Sequence, residues 1–298
     1  MQLARLALAG VLAAALASGL AAAAHAADPR TVVDSAGRRV ALPARVERVF
    51  AAGPPASVMV FAIAPGKLLG WTRAIRPAEA AFMPRRYAAL PELGRLAGRG
   101  DTANVETVMA LRPDVIIDVG SVADTYASLA DRVQRTTGIP YLLFDGRFAS
   151  MADTLRRIGA VTGDVAQAER LARYAERTLA EVRQRLAAVP AGGHPRVYYA
   201  RGPAGLQTGL AGSINVEVLD VIGARNVAAG ARGGLANVSL EQVLAWAPEV
   251  IITSDPLFFR AVPIDPRWAG VPRCGRGASI SRRTCRSAGS TSRPARTA

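Results

Sequence analysis

Histidine is close to absent from this chain, with two residues in 298. His25 sits in the N-terminal stretch and His194 stands between Gly193 and Pro195. That leaves no converging imidazole and carboxylate set of the kind that captures bare zinc or manganese. It also leaves a Ser-His-Asp triad only one loop histidine to use. No G-x-S-x-G elbow, H-E-x-x-H pair or G-x-x-x-x-G-K-[ST] loop is present. An exported hydrolase, which would have to work through His194, is the alternative from another function class, and the expected chain is neither an enzyme nor a cofactor carrier. Cysteine is equally scarce: Cys274 and Cys285 both lie in the last segment, so the body has no disulfide framework.

Beyond residue 26 no apolar run approaches the ~20 residues that a membrane-crossing helix needs. The N-terminus itself has Arg5, an Ala/Leu-rich run from Leu6 and the small-residue ending Ala24-His25-Ala26. This is the layout of a secretory signal peptide cleaved after Ala26, with an uncleaved anchor as the alternative. The formal charge of +14 shrinks once it is located. Seven arginines and no acid lie between Arg273 and Ala298, and Arg5 belongs to the leader, which leaves about +6 for the body. A nucleic-acid partner is therefore not expected.

What the chain has is a sentence said twice. Residues 104–118 read NVETVMALRPDVIID, and residues 239–253 read SLEQVLAWAPEVIIT. Each copy is a short amphipathic helix stopped by a proline, then a β-branched run suited to a strand buried on both faces. A helix leading into a parallel strand twice over predicts an α/β chain of two similar lobes. Residues 31–43 read as a β-hairpin around Ser35-Ala36-Gly37. Strands are expected at 48–52, 67–71, 115–118, 141–144 and 196–200, and a helix at 214–222. A long helical stretch over 150–189, interrupted near Gly163, separates the two copies. The expected divisions are a signal peptide at 1–26, an N-terminal lobe at 27–148, a connecting helix at 149–193 and a C-terminal lobe at 194–272.

From Arg273 the chain changes character, reading RCGRGASISRRTCRSAGSTSRPARTA. In the frame two bases on, permitted synonymous codons give VRAGRVYLAPDLPFGWIDFPPGANRL, which has strand, turn and aromatic features. Residues 273–298 are therefore read as an aberrant basic tail from a translated frameshift, with a natural disordered tail as the other reading.

In order and spacing, the hairpin VVDSAGRRVALP, the units NVETVMALRPDVII and SLEQVLAWAPEVIIT, the segment INVEVLDVIGARNVA and the late DPRWAGVP resemble periplasmic substrate-binding proteins of the iron-siderophore and cobalamin ABC importer family. The resemblance spans nearly the whole body. It implies two α/β lobes joined by a single long helix, a ligand cleft between them, periplasmic location, a monomer, and delivery to a membrane permease through an acidic residue on each lobe. Glu217 matches the C-lobe docking position, whereas Val58 stands where the family usually has Glu in the N-lobe.

Candidate ligand contacts lie near predicted strand ends, where open α/β sheets bind their ligands. In the N-lobe they are Ser57, Trp71, Arg73, Arg85 with Arg86, and Tyr87, an aromatic and basic mix suited to a flat or anionic ligand. In the C-lobe, the glycine-rich loop after the strand at 196–200 carries Arg201, whose planar fork can pair two oxygens, and Gln207. A plain hairpin turn with a surface arginine is the alternative there. Asn215 opens the next helix as a cap or an anion donor. In Asp255-Pro256-Leu257-Phe258-Phe259, two consecutive rings cannot both point inward on a strand, so one, Phe258, is assigned to the ligand. Each of these residues also has a plain structural reading as packing, capping or surface charge. The expected cargo is an anionic metal chelate, foremost a ferric siderophore, with cobalamin or a molybdate or tungstate oxyanion as alternatives on the same fold.

Overall fold

The computed structural model describes residues 30–97, 103–190, 192–271 and, for backbone only, 279–281. The leader and its cleavage point, and most of the basic tail, lie outside the described residues. The chain divides into two compact units: one runs to Gly146 and adds Ala152–Ala172, and the other takes Arg147–Met151 and resumes at Arg173.

The first unit opens with the expected hairpin, β1 (Arg30–Val33) antiparallel to β2 (Arg39–Leu42). Its sheet has three parallel strands in the order β3-β4-β5: β3 (Val49–Ala51), β4 (Val115–Gly120) and β5 (Tyr141–Asp145). Five of the six residues of β4 are buried, as its unbroken Val-Ile-Ile run requires for a strand covered on both faces. The hairpin turn closes the free edge of β5. Ser35 donates its N–H to the Leu143 carbonyl at 2.9 Å, and Leu143 donates to the buried Asp34 carboxylate at 3.1 Å. Arg38 neutralises Asp34 at 2.8 Å and also reaches Asp131 at 2.7 Å and the Tyr141 carbonyl at 3.0 Å. An edge strand is thereby capped by side-chain as well as backbone bonds.

Helices α1 (Pro54–Ile63), α2 (Pro77–Ala80), α3 (Arg85–Ala88), α4 (Val105–Ala110) and α5 (Asp124–Thr137) complete the connections of the first sheet. The expected strand at 67–71 is replaced by a 3-10 turn at Pro65–Lys67 and two isolated bridges, Val49 to Leu68 and Trp71 to Glu92. Pro65 cannot donate to a ladder, and the start of this segment goes into the turn instead. The helical stretch after β5 is two helices, α6 (Met151–Thr162) and α7 (Val165–Ala187), separated at Gly163, whose φ of 82° suits only glycine without strain. The boundary between units falls inside α7, after Ala172.

The second unit is built on the parallel order β11-β10-β6-β8: β6 (Arg196–Ala200), β8 (Arg225–Asn226), β10 (Val250–Thr253) and β11 (Ser279–Ser281). An antiparallel ribbon of β7 (Gln207–Gly209) and β9 (Leu235–Asn237) is added to it, together with helices α8 (Glu217–Val221), α9 (Leu240–Trp246) and α10 (Pro256–Ala261). The predicted helix at 214–222 is thus one short helix after a turn. Tyr198, Val243, Ile251, Phe258 and Trp268 form the core between β6, β10 and their helices.

The sequence repeat is a repeat of backbone geometry. Asn104 and Ser239 cap the N-termini of α4 and α9 through their side chains. Eight residues on, Arg112 and Ala247 are the two described non-glycine residues with positive φ, at 46° and 43°, each directly before a proline. Two residues later, Asp114 accepts from the N–H groups of Glu47 and Arg48 at 2.7 and 2.9 Å, and Glu249 accepts from that of Arg196 at 2.7 Å. The same acidic residues return their own N–H groups to the carbonyls of Arg48 and Arg196, at 2.8 Å in each case. The registers that follow are equivalent, Val49 with Val115 and Val197 with Val250.

Removing this carboxylate leaves strand-entry N–H groups without their partner. Asp114→Ala is expected to destabilise the protein by about 1–3 kcal/mol, with a smaller loss for Asp114→Asn, which keeps an acceptor oxygen. Urea unfolding checks this, and equal stability of all three proteins would contradict it.

Candidate functional site

The carboxyl ends of the parallel strands are the natural place to look, because there backbone groups and loop side chains leave the ladder. In the first unit, β3 runs through Ala52 and Gly53 into α1. Ser57 is buried, and its hydroxyl donates to the Pro54 carbonyl at 2.9 Å, so its hydrogen is used within the first turn of α1. One turn position further, Val58 is exposed.

The excursion of residues 71–93 holds the other N-lobe candidates. Its two ends are tied by Trp71 N–H to the Pro91 carbonyl and Leu93 N–H to the Trp71 carbonyl, both 2.8 Å. Trp71 is buried, with its indole N–H on the Tyr87 carbonyl at 2.8 Å and Phe61 at 5.2 Å from its ring. It acts as a bolt for the excursion. Arg73 makes a two-pronged bond to Glu79 at 2.7 and 2.8 Å, and Arg76 reaches the same carboxylate at 2.5 Å. The Arg73 bond, ahead of that from Arg76, holds the Glu79 carboxyl well below the usual carboxylate range, and Glu79 in turn raises Arg73. The groups left facing outward are Arg85, exposed and without a partner among the described residues, and Tyr87, half-buried under the Arg86 guanidinium at 4.7 Å.

In the second unit, β6 ends at Ala200 and Arg201 begins a tight hairpin. Arg201 donates its N–H to the Gln207 carbonyl at 2.8 Å and receives Gln207's N–H at 3.3 Å. Gly205 sits in the turn with φ of 69°, and a Cβ there would come within 2.3 Å of the Phe258 ring. The Tyr198 hydroxyl donates to the Gly205 carbonyl at 2.8 Å, and burial pushes the tyrosine's pKa up. The turn is thus fastened to the core from below, while the Arg201 Nε, itself buried, has no hydrogen-bond partner. Phe258 lies in the core beside Trp268, ring centroids 4.9 Å apart. The strand geometry assumed for residues 255–259 is corrected to helix α10, capped by Asp255, and the half-buried ring of the pair is Phe259.

Asn215 bonds locally, its side-chain N–H on the Ser213 hydroxyl oxygen at 3.3 Å. Glu217 is half-buried at the first position of α8, and its Oε2 accepts the N–H of Phe148 at 3.1 Å. Arg147 reaches the Gly212 carbonyl at 3.3 Å, so residues 147–151 are held to the second unit from both sides of the turn that precedes α8.

One residue escaped sequence reasoning although the repeat marks it. Asp118 ends the apolar run of the first copy, where Thr253 ends that of the second; both are buried polar groups. Thr253 accepts from the N–H of Asp255 at 3.0 Å. Asp118 accepts the Tyr141 hydroxyl at 3.0 Å, and a Cβ on Gly53 would lie 3.6 Å from its Oδ1, which places the carboxyl beneath the loop into α1. Burial raises this carboxyl above its ordinary value, partly offset by the bonds from Tyr141 and the Val119 N–H. A buried acid at a strand's carboxyl end is a functional-site candidate.

Among known proteins, the periplasmic binding protein family profile matches residues 79–272. A vitamin B12-binding protein of Salmonella choleraesuis is 32% identical over 154 residues, 51% of this chain and 55% of that protein. The chain thus spans about half the length of that curated relative. The molybdate-binding protein MolA of Haemophilus influenzae is 27% identical over 209 residues, 63% of this chain and 59% of that one. A solved ABC transporter solute binding protein from Sulfurospirillum deleyianum superposes with a TM-score of 0.74 at 27% identity, covering 85% of this chain and 80% of its own. The chain belongs to the periplasmic binding protein family.

Because folded Asp118 holds its proton more tightly than the unfolded chain does, its ionisation opposes folding increasingly as pH rises from the ordinary aspartate value to the raised folded one. Above that the penalty is constant. Asp118→Asn is therefore expected to raise the melting temperature at pH 7, with the gain vanishing below about pH 4. A melting series from acid to neutral pH checks this, and a variant less stable at pH 7 would contradict it.

Proposed function

We propose that this family member is the solute-binding component of an ABC importer, taking up an anionic metal chelate in the periplasm and delivering it to a membrane permease. The role is binding without catalysis, and the foremost cargo is a ferric siderophore. The observation that carries the reading is Arg201: it stands at the carboxyl end of β6, on a turn fastened to the core by Tyr198 and Phe258, with its Nε unpaired. The guanidinium of this half-buried side chain is a charge-assisted donor that oxygens of a carboxylate, phosphodiester or catecholate would accept.

On the first unit, Arg85 and Tyr87 are the candidates left outward for ligand, with Trp71 and Arg73 supporting their loop and Ser57 holding the turn before α1. On the second, Gln207 pairs with Arg201 across the hairpin, Asn215 is a further candidate at the turn before α8, and Phe259 replaces Phe258 as the ring available to a ligand. The names of the relatives, cobalamin and molybdate binders, support a chelate or an anion as the class of cargo. For permease docking we assign Glu217, with Val58 leaving the first unit without an acidic counterpart on α1.

Native mass spectrometry of the protein recovered from the periplasm of an iron-starved host tests the reading. A bound mass matching a ferric chelate, on a chain starting after Ala26, is expected; a chain that stays ligand-free when offered such chelates would contradict it. Glu217→Ala is expected to leave chelate affinity within about twofold while lowering uptake at least about tenfold, as loss of a charged contact does. Unchanged uptake would remove Glu217 from docking.

A further inference from the structure

We propose that Glu79 is a resident competitor in a two-arginine carboxylate receptor formed by Arg73 and Arg76, and that an anionic ligand binds the first unit by taking its place. This rests on the ligand-binding reading above and adds how the site is guarded. Two residues between them supply four donors to the Glu79 carboxylate. Arg73 grips it with both prongs, Nη2 on Oε1 at 2.7 Å and Nη1 on Oε2 at 2.8 Å. Arg76 adds its Nη2 on Oε1 at 2.5 Å and its backbone N–H on Oε2 at 3.1 Å. An ionised carboxylate offers about four acceptor positions, so the donor set is complete for this one group. The two-pronged arginine bond is also the geometry that favours a carboxylate over a single acceptor atom.

The chain that carries the competitor is easily moved. Glu79 lies in α2, a single turn of four residues closed by the Ala80 N–H on the Arg76 carbonyl at 3.0 Å. One turn is marginal by itself. The Arg73 and Arg76 side chains are 54% and 66% exposed against 20% for Glu79, so the receptor meets solvent from the arginine side. Ion pairs between exposed groups are weak enough to exchange partners. The ends of the excursion do not depend on Glu79, because Trp71 is bonded to Pro91 and Leu93 and its indole to the Tyr87 carbonyl. Releasing Glu79 therefore frees two cations without freeing the excursion. The bonds from Arg73 and then Arg76 hold the carboxyl well below the usual carboxylate range, so the competitor is charged at neutral pH. A tethered group competes at an effective concentration on the order of millimolar. A lone small carboxylate below that level does not displace it, whereas a chelate bearing several negative groups does. With Glu79 in place the pair supports its loop, and with a ligand's carboxylate in place it holds cargo.

Equilibrium titration of the full exported chain tests this with two probes, ferric citrate, which is rich in carboxylates, and ferrichrome, which carries no net charge. Glu79→Gln is expected to bind ferric citrate about tenfold more tightly than wild type, the scale of one charge-assisted bond no longer competing. Glu79→Asp, which keeps the charge on a shorter arm, should gain less. Adding Arg73→Ala to Glu79→Gln should abolish the gain, and ferrichrome should gain nothing from either substitution at Glu79. Both of these single variants should melt within about 3 °C of wild type, since the lost bonds lie at the surface. Equal or weaker ferric citrate binding by Glu79→Gln overturns the inference and marks Glu79 as a staple. An equal gain for both probes overturns it as well, because that reports a loosened loop and not freed cations. Ferric citrate bound by neither wild type nor Glu79→Gln also overturns it. The transport reading is decided separately, by the native mass spectrometry above.

Discussion

Each unit depends on one carboxylate at the point where two parallel strands enter their sheet. Asp114 in the first unit and Glu249 in the second accept backbone N–H groups from the strand alongside and return their own N–H to its carbonyl. This closes a two-way clasp just before the buried β-branched run begins. Strand register is easily lost by one residue, which would move every side chain to the wrong face. With the clasp in place, Val49 meets Val115 and Val197 meets Val250. The positive φ of Arg112 and Ala247, costly for residues with a Cβ, is part of the same device: it turns the chain from helix to proline to acid in the shortest distance. Fixing the entry ends fixes the carboxyl ends, from which the candidate ligand groups project.

At those carboxyl ends, polar groups divide into those engaged locally and those left over. Trp71, Arg73, Ser57 and Asn215 all have partners within their own loops. In the first unit these bonds stiffen the loops that carry Arg85, Tyr87 and the entry to α1. A preorganised loop loses less conformational freedom when it binds. Arg201 shows the same division within one residue: its backbone closes the hairpin and its Nε remains unpaired.

Much of this was legible in the sequence where local chemistry governs. The hairpin at 31–43, the parallel strands of the two repeats and the break at Gly163 all follow from short-range rules. The misreadings come from local signals that compete with one another. The segment at 67–71 looks like a strand by its apolar residues, yet its start goes into a 3-10 turn and its end into a bridge with Glu92. Residues 255–259 look like a strand edge, but Asp255 followed by Pro256 is a helix start, and that local signal outweighs the paired rings. In the basic tail, Ser279–Ser281 adds a parallel strand beside β10.

The most decisive measurement is amide hydrogen exchange with and without an added ferric siderophore. Slowed exchange is expected in residues 201–209 and 235–237, with no change at Glu47, Arg48 and Arg196, where the carboxylate clasps hold the strand entries. Protection confined to the entry ends, or none in the hairpin and ribbon of the second unit, would contradict it.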